Sequence, residues 1–257
     1  CNLGVVSLCT DGEFCQKRES SGKKFLLFGA SGISGNGAIG QPGQGKTTAN
    51  SSSLHAFGYL TARMFGDDFQ FVSASGWGLL YGYNGKNNQG NGENLVSAFS
   101  RVGIDTSNSL VTSTYDVNAF VPDYVIVNAG GNDYNAYING ISDTSAKNAA
   151  IAAFSAQVSS FLTTLHTLYP LTKVLWTATN IGSGNGAAAN AVIGDLDPTG
   201  SFVKMSVIPG VGDNGDPEGA NAHASVYTHI RTAGILADAI EAWSGITRIR
   251  ENIVYPS

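Results

Sequence analysis

Apolar residues fall along this chain in two alternating rhythms. Short runs are apolar at nearly every position: Phe25-Leu26-Leu27-Phe28 closing at Gly29, then 69–74, 123–129, 173–178 and 202–208. Runs of this length without polar alternation predict strands buried on both faces. Between them the spacing changes to that of a helix face. Leu54, Phe57, Leu60 and Met64 recur over 53–65. Ile151, Phe154, Val158, Phe161, Leu165 and Leu168 recur over 146–168, where Pro170 predicts the stop. A last helix is expected over 226–243. Strands that alternate with helices at this spacing predict an α/β protein, a three-layer α/β/α sandwich with a parallel central sheet.

In such sheets ligands bind beyond the carboxyl ends of the strands, so the loops that follow the strands are where chemistry is expected. Four of them stand out. The first strand leads into Gly29-Ala30-Ser31-Gly32-Ile33-Ser34-Gly35-Asn36-Gly37, and the second into Ser75-Gly76-Trp77-Gly78. The third leads into Gly130-Gly131-Asn132-Asp133, and Asn221-Ala222-His223 precedes the last helix. A serine, an unobstructed glycine amide, an asparagine amide and a histidine are thus expected at one sheet edge. That set suits acyl transfer. Serine needs a base to become a nucleophile, and histidine is the usual one. A tetrahedral oxyanion needs donors already in place, which backbone N–H groups and an Asn amide supply.

The four blocks, in this order, resemble those of the SGNH (GDSL-type) hydrolase superfamily. Within it, the first block and the stretch from His223 to His229 look most like carbohydrate esterase family 2. The resemblance covers about residues 23–245. It implies a flavodoxin-like sheet, Ser31 as nucleophile and His223 as base. It also implies an oxyanion hole of Ser31, Gly76 and Asn132. The implied substrate is acetylated or otherwise acylated carbohydrate such as xylan, with no cofactor and no metal. Two departures bear on the chemistry. Ala30 stands where the superfamily has the Asp of Gly-Asp-Ser. Ala220 and Asn221 stand where it has the Asp that orients the base. A backbone carbonyl, Asn221, Asp213 and Asp216 all remain open as the orienting group. If none serves, an inactive carbohydrate-binding relic of the same fold is the alternative. Family 2 esterases also carry a β-sandwich ahead of this domain, for which 22 residues are too few.

Composition narrows the setting. The chain has 257 residues, and only 13% are charged, about half the usual share. Gly is frequent at 33 residues, with many Ser, Thr and Asn, which leans toward a secreted protein. Fourteen Lys and Arg against nineteen Asp and Glu give a net charge of −5. With no basic stripe, nucleic acid is not an expected partner, and no apolar run approaches the ~20 residues of a membrane helix. Cys1, Cys9 and Cys15 allow one disulfide in three pairings. They mark residues 1–22 as an N-terminal arm without an apolar core of signal-peptide length, and 23–257 as one domain, expected to be monomeric.

Other features carry rival readings. Residues 40–47 match the phosphate-loop pattern Gly-x-x-x-x-Gly-Lys-Thr, with Gly40, Gly45, Lys46 and Thr47 in place. That mechanism requires a strand directly before the loop and a helix opening after it. A flexible surface loop is the plainer expectation, with short-chain or lipid esterase another lesser alternative. Asp213, Asp216 and Glu218 form an acidic loop that suits Ca²⁺ or plain solvation. Asn50-Ser51-Ser52 is a glycosylation sequon. Trp77, Tyr81, Tyr83, Tyr134 and Tyr137 cluster near the key loops, and of these Trp77 and Tyr134 are expected to stack on sugar rings. His55, His166 and His229 are expected to be structural.

Overall fold

Strand β1 (Lys24–Gly29) lies inside the sheet, with Phe25, Leu27 and Phe28 fully buried. In the computed structural model, residues 22–66, 68–83, 93–103 and 109–250 are described. The cysteines of the arm lie outside them. On one side β1 pairs with β2 (Asp68–Ser73), on the other with β3 (Tyr124–Asn128). β3 pairs with β4 (Lys173–Ala178), and β4 with β5 (Val203–Val207). All four pairings are parallel, in the order β2-β1-β3-β4-β5. The order reverses at β1, so the crevice between the ends of β1 and β3 is the switch point where open α/β sheets bind ligands.

Side-chain alternation along the strands sorts the core into two layers. Leu26, Phe28, Val125, Val127 and Trp176 face one side. There they meet α5 (Thr144–Leu168) and α6 (Gly184–Leu196), and Phe28 stacks on Phe161 with centroids 4.4 Å apart. Phe25, Leu27, Tyr124, Ile126 and Leu175 face the other side, against α2 (Phe57–Phe65) and α7 (Val226–Ser244). Each such fully buried side chain stabilises the fold by about 1.5–3 kcal/mol relative to exposure. Three shorter helices complete the set: α1 (Ser31–Ser34), α3 (Leu95–Ala98) and α4 (Gly131–Asn135). No helix among the described residues is long and apolar enough to cross a membrane.

Two details differ from the sequence reading. The helix expected over 53–65 breaks at Ala56, which is extended at φ −84°, ψ 148°. A 3-10 turn at Ser53–His55 precedes α2, and Leu54 is left exposed. Helix α6 was not foreseen, because its buried face is only Gly186, Ala189 and Ile193. A stripe made of glycine and alanine carries almost no periodic signal.

Candidate active site

Ser31 is the first residue of α1, directly after β1. The N–H of Ala30 donates to the Asn128 carbonyl (3.1 Å), which ties this turn to the end of β3. The Ser31 Oγ makes no hydrogen bond with a described residue, so the hydroxyl is uncommitted.

Asn132 lies on the next loop, at the start of α4. Gly130 makes that turn at φ +98°, and a Cβ there would sit 2.8 Å from the Phe154 ring, so no side chain fits. The Asn132 side-chain amide donates one N–H to the Trp77 carbonyl at 2.9 Å. The second N–H remains available. This contact links Asn132 to the loop after β2, which carries Gly76. The Gly76 carbonyl accepts from the Tyr83 N–H at 2.8 Å, while the Gly76 N–H donates to no described residue.

Asp133 organises that loop. It is fully buried, and its carboxylate accepts from the N–H groups of Leu79 (2.9 Å), Leu80 (2.8 Å) and Tyr81 (2.7 Å). A buried charge met by three aligned donors is compensated rather than stranded. The result is a clamp on residues 76–83. Burial raises the pKa of the Tyr81 and Tyr134 phenols, helped by the nearby negative charge.

His223 approaches from the far side, on the loop before α7. Its Nδ1 lies 2.6 Å from the backbone carbonyl oxygen of Asn221. A carbonyl only accepts, so Nδ1 carries the proton and, in the neutral imidazole, Nε2 the lone pair. The Asn221 side-chain nitrogen is 3.5 Å from the same Nδ1, but both are donors in this tautomer, so the carbonyl is the partner. Neither acidic candidate takes part. Asp213 accepts from the Gly210 N–H at 2.7 Å, and Asp216 is paired with Arg231 at 2.9 Å.

The peptide that holds His223 is itself braced. Asn221 and Ala222 adopt left-handed backbone (φ 56° and 52°), a conformation that costs a non-glycine residue on the order of 1–2 kcal/mol. The Asn221 N–H donates to the Gln44 carbonyl at 2.7 Å, and the Ala220 N–H to the Gly37 carbonyl at 2.9 Å. Gly37 is at φ +69°, and a Cβ there would sit 2.0 Å from the Ala220 oxygen. The loop of Ser31 and the loop of His223 therefore lie backbone to backbone.

Solved structures with this arrangement of strands and loops decide the fold. The chain superposes on a carbohydrate esterase family 2 enzyme with a carbohydrate-binding domain from Corynascus thermopiles (Myceliophthora fergusii). The TM-score is 0.70 at 21% identity, over 93% of this chain and 71% of that one. It is equally similar to an acetyl xylan esterase, Est2A, from the rumen bacterium Butyrivibrio proteoclasticus (TM-score 0.70, 21% identity, 91% and 68% covered). A family two carbohydrate esterase from Clostridium thermocellum in complex with cellohexaose matches with a TM-score of 0.68 at 21% identity, over 87% and 65% of the two chains. The chain has the SGNH-hydrolase fold. No protein-family model matches its sequence, and comparison with curated protein sequences gives no match.

In this SGNH fold the switch-point crevice opens into a cleft of about 630 Å³, and Ser31, Asn132 and His223 all line it. Its remaining wall mixes amides and hydroxyls, among them Asn128, Asn135, Thr177 and Asn185, with apolar residues such as Ile208 and Val211. At its inner end His229 is almost completely buried. Its Nδ1 accepts from the Phe57 N–H at 3.2 Å and its ring stacks on Phe57. Burial, with smaller contributions from His223 and His55, lowers its pKa to about 4. A neutral, wedged imidazole is a structural part, as expected.

Trp77 and Tyr134 do not stand where sugar stacking requires them. They are 3% and 5% exposed, and Tyr134 meets Phe154 edge-on at 5.2 Å. Both rings belong to the core beneath the cleft. Among the described residues, the exposed aromatic side chain on the cleft wall is Tyr83, at 53% exposure. Tyr81 and Tyr137 pair with each other at 4.6 Å.

The rival motifs resolve into packing. Residues 40–47 follow the turn after α1 rather than a strand, and no helix opens at Thr47. That loop instead supplies the Gln44 carbonyl to the loop of His223. The sequon residue Asn50 is 9% exposed, and its amide donates to the Gly45 carbonyl (2.8 Å) while its oxygen accepts from the Thr47 N–H (2.8 Å). Its nitrogen is committed inside the fold.

Proposed function

We propose that this protein is a serine esterase that removes acetyl or another small acyl group from carbohydrate through a Ser31–His223 pair. The observation that carries the reading is the state of His223. Its Nδ1 proton is directed at the Asn221 carbonyl 2.6 Å away, which leaves Nε2 as a base in the cleft that also holds Ser31. Ser31 attacks the ester carbonyl and its proton passes to Nε2. The developing oxyanion is received by the Ser31 and Gly76 N–H groups and the free N–H of the Asn132 amide. His223 then protonates the departing sugar oxygen. Water, deprotonated by the same Nε2, cleaves the acyl-enzyme and releases the acid.

The amides and hydroxyls in the cleft wall and exposed Tyr83 suit a polyhydroxylated leaving group. The fold likeness to carbohydrate esterases supports the same substrate class. The test is hydrolysis of p-nitrophenyl acetate and acetate release from acetylated xylan by wild type, Ser31→Ala and His223→Ala. Wild-type turnover with both variants at background supports the reading. Equal rates for all three proteins sink it, and sugar binding without turnover then favours a binding protein on the same fold.

A further inference from the structure

Asn36 sits between the two glycines that close the nucleophile loop, and its place in the site is unusual. It is 3% exposed. Its backbone N–H donates to the Ser31 carbonyl at 3.1 Å. Its side-chain nitrogen lies 3.2 Å from Ser75 Oγ and 3.2 Å from Nε2 of His223. Through its backbone and its side-chain amide, one residue thus joins the loops of Ser31, Gly76 and His223.

The orientation of that amide follows from chemistry. Nδ1 of His223 must carry a proton to face the Asn221 carbonyl, so Nε2 is a lone pair and only a donor can face it. The Asn36 NH₂ is that donor. Its own Oδ1 is left buried with no partner among the described residues. A buried amide with a purely structural role turns to satisfy its oxygen, because an unpaired buried acceptor costs about 1–3 kcal/mol. An orphaned oxygen at such a place points to function.

We propose that Asn36 is a positioning residue for His223. Its amide donates to Nε2 and, together with the Asn221 carbonyl on Nδ1, holds the imidazole in the one tautomer that can act as a base. Both ring nitrogens are then specified by neutral groups, where a triad uses one carboxylate. At 3.2 Å the contact with Nε2 is long, so the Ser31 hydroxyl can replace it when an ester occupies the cleft. The inference deepens the Ser31–His223 reading, and its meaning rests on it.

The test is made on Asn36→Asp and Asn36→Leu, with side-chain ¹⁵N NMR of the histidines at pH 8 and steady-state kinetics on p-nitrophenyl acetate. In wild type, His223 shows a protonated Nδ1 and an unprotonated, hydrogen-bonded Nε2. Asn36→Asp sets a carboxylate against Nε2, which then gains a proton. As Nε2 no longer offers a lone pair, kcat falls at least about 100-fold, toward the roughly 10,000-fold seen when a triad histidine is held in the wrong tautomer, with KM little changed. Asn36→Leu keeps Nδ1 protonated but moves the Nε2 resonance to that of an unbonded nitrogen. A wild-type His223 protonated at Nε2, or an Asn36→Asp protein whose Nε2 stays unprotonated, overturns the proposal. So does wild-type kcat in Asn36→Asp. If that variant does not fold, the wild-type spectrum and Asn36→Leu still decide. The spectra need no turnover, so an enzyme inactive on every ester would refute the esterase reading alone.

Discussion

Replacing Asp133 by Asn removes one charge at unchanged shape and should loosen the loop that carries Gly76. The carboxylate holds Leu79, Leu80 and Tyr81 by their N–H groups at 2.9, 2.8 and 2.7 Å. In the variant, the remaining oxygen still serves Leu80 and Tyr81, which share one carboxylate oxygen. The new NH₂ meets the Leu79 N–H donor to donor. Hydrogen bonds to charged groups contribute about 1.5–3 kcal/mol each, and an orphaned buried donor costs about 1–3 kcal/mol. One lost bond, one orphaned donor and two weakened bonds give a destabilisation of at least about 2.5 kcal/mol. For a domain of this size that corresponds to a fall in Tm of roughly 5–10 °C. The same slack frees the Trp77 carbonyl that positions Asn132 (2.9 Å), so kcat should fall about 100- to 1,000-fold, the effect of losing one oxyanion donor. Differential scanning calorimetry and p-nitrophenyl acetate kinetics measure both. An Asp133→Asn protein that melts within about 2 °C of wild type, on the same scale, and keeps its kcat would refute the clamp.

Three further outcomes follow from the geometry. His229 has its pKa lowered to about 4 by burial, while in the unfolded chain it is near 6.5. The unfolded state therefore binds the extra proton between these values, and stability falls as pH drops through that window by up to about 3 kcal/mol. Urea midpoints for wild type and His229→Gln at pH 7 and pH 4.5 should show a smaller acid loss in the variant. Gly37→Ala combines a left-handed φ with a Cβ 2.0 Å from the Ala220 oxygen. It should lose stability by more than the ~1–3 kcal/mol of the backbone strain alone, and lose turnover with it; an active, wild-type-stable Gly37→Ala would contradict the backbone contact. Tyr83→Ala should raise KM for acetylated xylan several-fold and leave p-nitrophenyl acetate hydrolysis nearly unchanged, and equal KM values on xylan would remove Tyr83 from the glycan contact.

The sheet was legible because its strands are written in large residues. Phe25 to Phe28 and Val125 to Val127 carry the core, and their loops carry polar residues that packing does not require. Ser31, Asn132 and His223 therefore stood out and meet in one cleft. Helix α6 was illegible because Gly186 and Ala189 bury without hydrophobic contrast. Trp77 and Tyr134 turn inward, against the sequence expectation, because a ring near a glycine-rich loop can point either way. Tyr83, only two residues beyond Tyr81, escapes to the surface. Asn36 had a faint signal, an amide between Gly35 and Gly37 in the nucleophile loop. The partner of His223 had none. A main-chain carbonyl has no letter of its own, and it reaches Nδ1 only because Asn221 and Ala222 are both turned left-handed.

That carbonyl has a practical consequence. A carboxylate in its place would fade as a partner in acid, when it takes up a proton, and could be deleted by one codon change. A peptide oxygen does neither. On the Ser31–His223 reading, alanine scanning for an acid that partners Nδ1 of His223 will find no side chain to match the acid of a triad. Asn36 apart, the orientation of that imidazole is stored in the course of the main chain from Gly219 to His223. On its Nδ1 side it is open to disruption by loop insertions, proline or a changed turn, and nearly silent to the side-chain substitutions by which such groups are ordinarily discovered.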